Sequence, residues 1–174
     1  MALEILLIAV VPGLLIGAAV WDLTSYTIPN VFIVALLGLF VVFFGAVAIT
    51  GPGVSWTQAG LHLLAGFIGL AAGMALFATG WVGGGDAKLF AVASLWLGWN
   101  ALFEYTLLAS FLGGGLTLAV LVLRSVPLPP LLLKQEWLAR LADRKAGIPY
   151  GVALSAAALM VLPRTELFRL AIGG

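Results

Sequence analysis

The segment VFIVALLGLFVVFFGAVAI, residues 31–49, contains no charged side chain. A helix needs about 20 predominantly apolar residues to cross the hydrocarbon core of a bilayer, and this segment has about that length. Its apolar residues are continuous rather than alternating, which favours a helix over a strand of a membrane barrel. The segment therefore predicts a transmembrane helix.

The composition extends this prediction to the whole chain. Of its 174 residues, 63% are hydrophobic and 9% are charged, and the mean hydropathy is +1.20. A soluble domain carries about 25% charged residues, so this chain has too few to cover a surface in water. Because backbone groups in lipid must be paired within the protein, we expect an all-α, polytopic membrane protein that contacts membrane lipid.

Six apolar segments, each bounded by polar residues or by Gly and Pro, predict six transmembrane helices. They cover residues 3–21, 31–49, 58–79, 86–99, 101–123 and 148–162. We find no internal repeat, so residues 1–174 are interpreted as a single membrane-embedded domain.

Residues 1–20 have the hydropathy of a signal peptide but contain no Lys or Arg, which such a peptide needs at its start. We therefore expect a retained first helix.

The distribution of basic residues predicts the orientation. The loops after the first, third and fifth segments hold Lys88, Arg124, Lys134, Arg140, Arg144 and Lys145, whereas those after the second and fourth hold no Lys or Arg. Positively charged loops stay cytoplasmic, although Arg164 and Arg169 on the other side oppose this bias weakly. We predict a multi-pass protein of the inner (plasma) membrane, with Asp22 and Asp86 open to the cytoplasm.

Residues 127–147 form the one sizeable stretch predicted outside the membrane. Four apolar residues share one helical face, and the basic residues lie largely away from it: Leu133, Trp137, Leu138 and Leu141 against Lys134, Arg140, Arg144 and Lys145. This pattern predicts a short amphipathic cytoplasmic helix in the membrane interface. We favour an anchoring role for it, and a role in docking the substrate stays open.

The composition also excludes several kinds of chemistry. The chain has no cysteine and a single histidine, His62, so a structural zinc site, a disulfide framework and a cysteine nucleophile are all excluded. The net charge of +1 argues against a nucleic-acid partner. We expect no metal and no cofactor. Within the third segment, His62 is interpreted as a hydrogen-bonded structural residue.

Two acids stand out as candidate catalytic residues. Asp22 ends the first segment in WDLTSYTIPN, residues 21–30, and Asp86 follows three glycines in GGGDAK, residues 83–88. The fourth segment, residues 86–99, spans about 21 Å as a helix against about 30 Å of hydrocarbon, which places Asp86 below the membrane surface. An acid at that depth is usually functional.

A pair of carboxyl groups can hydrolyse a peptide bond without metal, cysteine or a Ser–His pair. One activates a water and the other protonates the carbonyl oxygen, and the two share a proton because both cannot readily ionise at close range. Gly83 and Gly85 allow close approach of a substrate, and Pro29 and Asn30 suit the start of a helix. Each feature alone also has an ordinary explanation: Asp22 as an interfacial charge, Asp86 as a helix cap, the glycines as a tight turn.

Taken together, these motifs resemble the two signatures of the type IV prepilin peptidases, membrane aspartic proteases of the GxGD kind. The resemblance rests on Asp22 followed by Ile28-Pro29-Asn30, and on Gly83-x-Gly85-Asp86-x-Lys88. A third element, Ile148-Pro149-Tyr150-Gly151, is similar to a Pro-aromatic-Gly motif of that family, with Val152 where longer members often have proline. The resemblance implies that Asp22 and Asp86 are catalytic and that these motif residues shape the site: Pro29, Asn30, Gly83, Gly85, Lys88, Pro149, Tyr150 and Gly151.

The departures indicate a subtype. Longer members of that family resemble two-part enzymes with a cysteine-containing cytoplasmic insert and an N-methyltransferase activity, and this chain has no cysteine. It is similar to the short form found for Tad/Flp pilus systems, so methyl transfer is not carried over. The implied partners are prepilin precursors, which have a basic leader, a glycine at the cut site and an apolar helix.

Two other hypotheses stay open from the sequence. A small proton- or ion-coupled transporter could use Asp22 and Asp86 as relay groups, although no repeat supports it. A non-catalytic membrane assembly factor could keep the same fold, although retention of both acids argues against it. Gly113, Gly114 and Gly115 in the fifth segment are interpreted as close helix packing.

Overall fold

The computed structural model describes residues 5–50 and 55–171, and these residues form helices and turns with no strand. This confirms the all-helical prediction. The helices are α1 (Leu6–Ser25, of which Leu6–Val10 is π-helical), α2 (Asn30–Thr50), α3 (Trp56–Ala78), α4 (Gly84–Leu97), α5 (Trp99–Ser125), α6 (Glu136–Ala142), α7 (Tyr150–Val161) and α8 (Glu166–Ala171). Short 3₁₀ turns lie at Leu132–Lys134 and Leu162–Arg164.

Each of the six predicted membrane segments overlaps a helix, and residues 3–4 of the first segment lie outside the described residues. Within the described residues, four helices are long and apolar enough to cross a membrane, namely α1, α2, α3 and α5. The other two, α4 with 14 residues and α7 with 12, are shorter than a bilayer core requires. The chain is a multi-pass membrane protein, and the number of six spans stays a prediction.

The short helix α4 is at the centre of the packing. Most of its residues are buried, and α2, α3, α5 and α7 pack around it. Its closest neighbour is α3, where three glycines face it at helical spacing. A Cβ added at Gly66, Gly69 or Gly73 would lie 2.7–3.0 Å from the nearest atom of α4. Small residues let two helices approach closely in a membrane, so this face of α3 fixes the position of α4.

The outer faces of the long helices carry large apolar side chains, as a lipid-facing surface requires. Phe111 on α5 is 81% exposed, and Val41 on α2 is 69% exposed. By contrast, Trp96 of α4 is buried and its Nε1–H donates to the Leu36 carbonyl oxygen at 3.0 Å. The Trp96 indole is thus paired inside the bundle, while large apolar side chains of the long helices face outward.

The segment between α5 and α7 is less helical than its pattern predicts. Residues 127–147 contain the 3₁₀ turn Leu132–Lys134 and the seven-residue helix α6, so Leu133 lies outside the helix that contains Trp137. The guanidinium of Arg124, at the end of α5, donates to the carbonyl oxygens of Leu141 at 2.9 Å and Gly147 at 2.8 Å. These bonds hold the segment against the bundle, and its predicted interfacial role stays a prediction.

Candidate active site

Asp22 lies in the last turn of α1 and is 3% exposed. The helix ends at Tyr26, whose φ of 58° is left-handed and whose N–H donates to the Asp22 carbonyl oxygen at 2.8 Å. Oδ2 of Asp22 accepts a hydrogen bond from the N–H of Gly151 at 2.8 Å. An added Cβ at Gly151 would lie 2.8 Å from that same oxygen, so only glycine allows this approach.

Asp86 is the third residue of α4 and is 9% exposed. Its Oδ2 accepts a hydrogen bond from the N–H of Gly83 at 3.2 Å, the arrangement of a helix cap. Its Oδ1 is buried and has no hydrogen-bond partner in the described part of the chain. The cap therefore occupies one oxygen of Asp86 and leaves the other available for chemistry.

The two acids line the same cavity, which has a volume of about 290 Å³. A cavity needs roughly 10–15 Å³ to hold one water molecule, so this space is large enough for a water and part of a ligand. Its wall is formed by the stretch from Tyr26 to Ile28 on one side and by the glycine turn on the other. The structure thus brings together residues that are distant in the sequence and whose chemistry suits general acid–base work.

Ile28 connects the three motifs. Its side chain and backbone N lie 3.1–3.3 Å from the position of an added Cβ on Gly85, and its Cδ1 lies 2.7 Å from that on Gly151. It is 8% exposed. Reasoning from the sequence treated Ile28 as part of the first motif and did not recognise this packing role. The absence of a side chain at both glycines is what allows Ile28 to fit between them.

The remaining motif residues lie around this site at different distances. Lys88 donates from Nζ to Oδ1 of Asn30 at 3.1 Å, which links the first two motifs. Asn30 is the first residue of α2 and Pro29 precedes it, so the cap position falls on Pro29. Pro149 is buried just before α7. The roles of these four residues in shaping the site stay predictions.

Tyr150 faces another helix rather than the acid cavity. Its ring lies 3.5 Å from the position of an added Cβ on Gly113, and its hydroxyl lies 3.2 Å from Oγ1 of Thr117. Only Gly113 of the three adjacent glycines packs in this way, because an added Cβ at Gly114 or Gly115 meets nothing within 4 Å. The prediction of close helix packing is therefore correct for Gly113 and wrong for the other two.

Tyr26 is a cavity residue that the sequence reasoning missed. Its hydroxyl is buried, and burial raises the pKa of the Tyr26 phenol above its usual value, whereas the nearby charge of Arg124 opposes that shift. A Tyr phenol is neutral at physiological pH even at its usual pKa, so this buried hydroxyl can act as a hydrogen-bond donor. Its position within WDLTSYTIPN is the only sequence feature that could have indicated it.

A second cavity, of about 600 Å³, lies near the start of α3 and of α5, and neither Asp22 nor Asp86 lines it. His62 lines it, with Nδ1 2.8 Å from the Leu95 carbonyl oxygen. Since a carbonyl only accepts, Nδ1 carries the proton, as expected for a structural histidine. In the part of the chain that the structure describes, no group of three or more His, Cys, Asp or Glu side chains is placed to hold a metal ion.

The fold and the site define a class of protein: a helical, multi-pass membrane protein with two buried acids at one cavity. The chain belongs to the type IV leader peptidase family, whose model matches residues 9–118 and so includes both acids. It is 36% identical over 132 residues to the prepilin leader peptidase/N-methyltransferase of Bacillus subtilis (strain 168). That match covers 74% of this chain and 51% of the relative, so the chain spans about half the length of the curated relative it matches. No solved structure gives a significant match.

Proposed function

We propose that this protein is an aspartic endopeptidase that removes the basic leader from type IV prepilin precursors of the Tad/Flp kind. In this proposal Asp22 and Asp86 activate the attacking water, and cleavage takes place on the cytoplasmic side of the inner membrane. Membership of a peptidase family supports a protease. It does not favour the alternative in which the same acids serve a transporter.

The observation that carries the mechanism is the shared cavity of the two acids. Asp22 and Asp86 come from different helices, and each has one carboxyl oxygen bound by a backbone N–H. The bound oxygens fix the orientation of both groups, and Asp86 Oδ1 has no partner among the described residues. The ionised carboxylate would take a proton from the water while the other, protonated carboxyl group donates its proton to the scissile carbonyl oxygen, as a pair that titrates together.

The depth of the acids suits a substrate whose apolar helix remains in the bilayer. Gly73 of α3 lies against Ala87, since an added Cβ there would be 3.0 Å from the Ala87 backbone. Gly73 is five residues before Ala78, the last residue of α3, which corresponds to roughly 7–8 Å of helix. Asp86 therefore lies about one to two turns inside the end of a membrane-length helix, where the cut site of a prepilin is expected.

The cytoplasmic orientation rests on the basic residues. Arg124 and the segment 127–147 lie at the end of the bundle where α5 ends and α7 begins, which is the end that contains the acids. Basic loops stay on the cytoplasmic side, so we place the acids on that side. A glycine before the apolar helix of a precursor would ease the unwinding that hydrolysis of its peptide bond requires.

Co-expression with a precursor that has a basic leader, a cut-site glycine and an apolar helix tests the proposal. We expect leader removal by the wild type and none by Asp22→Asn or Asp86→Asn, because an amide cannot exchange the proton. Asp143→Asn is the matched control, since Asp143 is an exposed loop acid. Equal membrane levels of all four proteins would show that folding is unaffected. Normal processing by either site variant would refute the proposed mechanism.

A further inference from the structure

A groove with a volume of about 660 Å³ lies between α3, α4, α5 and α7. Its lining is predominantly apolar and extends along α5 from Thr106 to Leu118, which is about 18 Å of helix. The lining along α5 includes small residues whose exposed surface faces the groove: Thr106, Ser110 and Gly114. A helix can approach another closely along such a surface.

The groove and the acid cavity share Asp86, which lines both. Asp86 is 9% exposed, and its Oδ1 has no hydrogen-bond partner among the residues that the structure describes. Gly114 lies at the level of the acids. Its neighbour Gly113 packs against Tyr150, and the residue after Tyr150, Gly151, binds Asp22. A chain lying in the groove beside Gly114 therefore reaches the acid pair.

The hydroxyl groups on this face of α5 already have hydrogen-bond acceptors within the helix, so they need no water as a partner. Thr106 Oγ1 donates to the Leu102 carbonyl oxygen at 2.7 Å, and Ser110 Oγ donates to that of Thr106 at 2.8 Å. Because each is paired with the backbone of its own helix, the face is compatible with an apolar occupant. Beyond Asp86, the apolar lining continues to Phe90 on α4 and Thr106 on α5.

We propose that this groove binds the apolar helix of the substrate, with the residues that follow the cut bond lying along α5 from Gly114 towards Thr106. The inference rests on the proposed function and specifies where the substrate binds. A peptide is the occupant that the geometry favours, because it offers the acids a bond to cut at the point where the groove meets their cavity. A lipid chain would give no such bond, and a second copy of this protein is tested directly by cross-linking.

Gly114 and Gly115 provide a matched pair of variants. Both are exposed and an added Cβ at either meets nothing within 4 Å, but only Gly114 lines the groove. We expect Gly114→Leu to reduce processing of a precursor by about tenfold or more, which corresponds to at least about 1.4 kcal/mol, by filling the groove. Gly115→Leu should process at the wild-type rate, because its side chain points elsewhere on α5.

Cross-linking identifies the occupant directly. The chain has no cysteine, so Gly114→Cys and Gly115→Cys each introduce a single thiol, in an Asp22→Asn background that leaves the precursor uncut. The precursor carries one cysteine in the first eight residues after the cut site. We expect oxidation to link this precursor to the Gly114→Cys variant but not to the Gly115→Cys variant. A disulfide forms when the Cα atoms lie within about 7 Å, so the result reports proximity.

Each other outcome has a defined meaning. Linkage between two copies through position 114 would show a second copy in the groove, and no linkage to the precursor would show that its apolar helix does not lie beside Gly114; either overturns the inference. If the wild type does not process the precursor, the proposed function fails, yet linkage at position 114 still shows whether the apolar helix binds there. Failure of the groove and failure of the function are therefore distinguishable.

Discussion

The N–H of Gly151 donates a hydrogen bond to Oδ2 of Asp22 at 2.8 Å, although 129 positions separate the two residues in the chain. This bond joins the start of α7 to the end of α1. Because the backbone of α7 itself is the donor, the orientation of the Asp22 carboxyl depends on how closely α7 approaches. We therefore expect the third motif to act through its backbone and to need glycine at position 151, because a side chain there would meet Asp22 and Ile28.

We predict that Gly151→Ala strongly reduces processing. An added Cβ would lie 2.7 Å from Ile28 Cδ1 and 2.8 Å from Asp22 Oδ2, so the Ile28 and Asp22 side chains have to turn away or α7 has to shift. Such overpacking costs about 1–3 kcal/mol, and the hydrogen bond to Asp22 lengthens with it. The measurements are the rate of precursor processing and the thermal unfolding temperature in detergent.

Gly147→Ala is the control for this change. Gly147 lies four positions earlier, is exposed, and meets nothing within 4 Å of an added Cβ, so we expect wild-type processing. If Gly151→Ala processed as fast as Gly147→Ala, the contact between α7 and Asp22 would not control the site.

A second prediction concerns the packing of α3 against α4. An added Cβ at Gly69 would lie 2.7 Å from Ser94 Oγ and 2.9 Å from Ser94 Cβ. Gly69→Ala should therefore lower the free energy of unfolding by about 1–3 kcal/mol, although Gly→Ala ordinarily favours a helix. Thermal unfolding of the purified protein measures this, and Gly60→Ala in the same helix, where an added Cβ meets nothing within 4 Å, should not be destabilised.

Changing the opposing residue tests the cause of that effect. Ser94→Gly removes both atoms that the new methyl group would meet, which leaves Ala91 Cα at 3.3 Å as its nearest neighbour. We expect the double variant Gly69→Ala/Ser94→Gly to be more stable than the sum of the two single changes implies, a positive coupling between contacting residues. Additive effects would show that the two residues do not meet.

The sequence predicts the helices well because lipid imposes a simple rule on them. Residues 31–49 and 58–79 contain no Asp, Glu, Lys or Arg and are predominantly apolar, and the structure has α2 and α3 there. Asp22 and Asp86 could also be selected, because an acid within an apolar segment is costly unless it has a use. The alternation of the apolar segments across the membrane predicts both acids at the same end of the bundle, and the structure has them at one cavity.

Hydropathy does not show which neighbour covers a given helix face, and that limits the prediction of the site. Ile28 looks like any apolar residue, yet it packs between Gly85 and Gly151. Gly113 and Gly114 look equivalent in sequence, but one packs on Tyr150 and the other faces the groove. Such differences depend on the distance between helices, which composition and periodicity do not encode.

The last prediction concerns Arg124, which connects the end of α5 to the segment before α7. Its guanidinium donates to the carbonyl oxygens of Leu141 and Gly147, and a Lys side chain cannot reproduce both bonds because it lacks the planar fork. Hydrogen bonds to charged groups contribute about 1.5–3 kcal/mol each. We therefore expect Arg124→Lys to make residues 127–147 more sensitive to limited proteolysis. We also expect slower processing, because Gly151, which binds Asp22, lies only four residues after Gly147. Arg140→Lys is the control, since Arg140 is exposed and the substitution keeps the positive charge. Equal proteolysis of the two variants would show that Arg124 does not hold this segment.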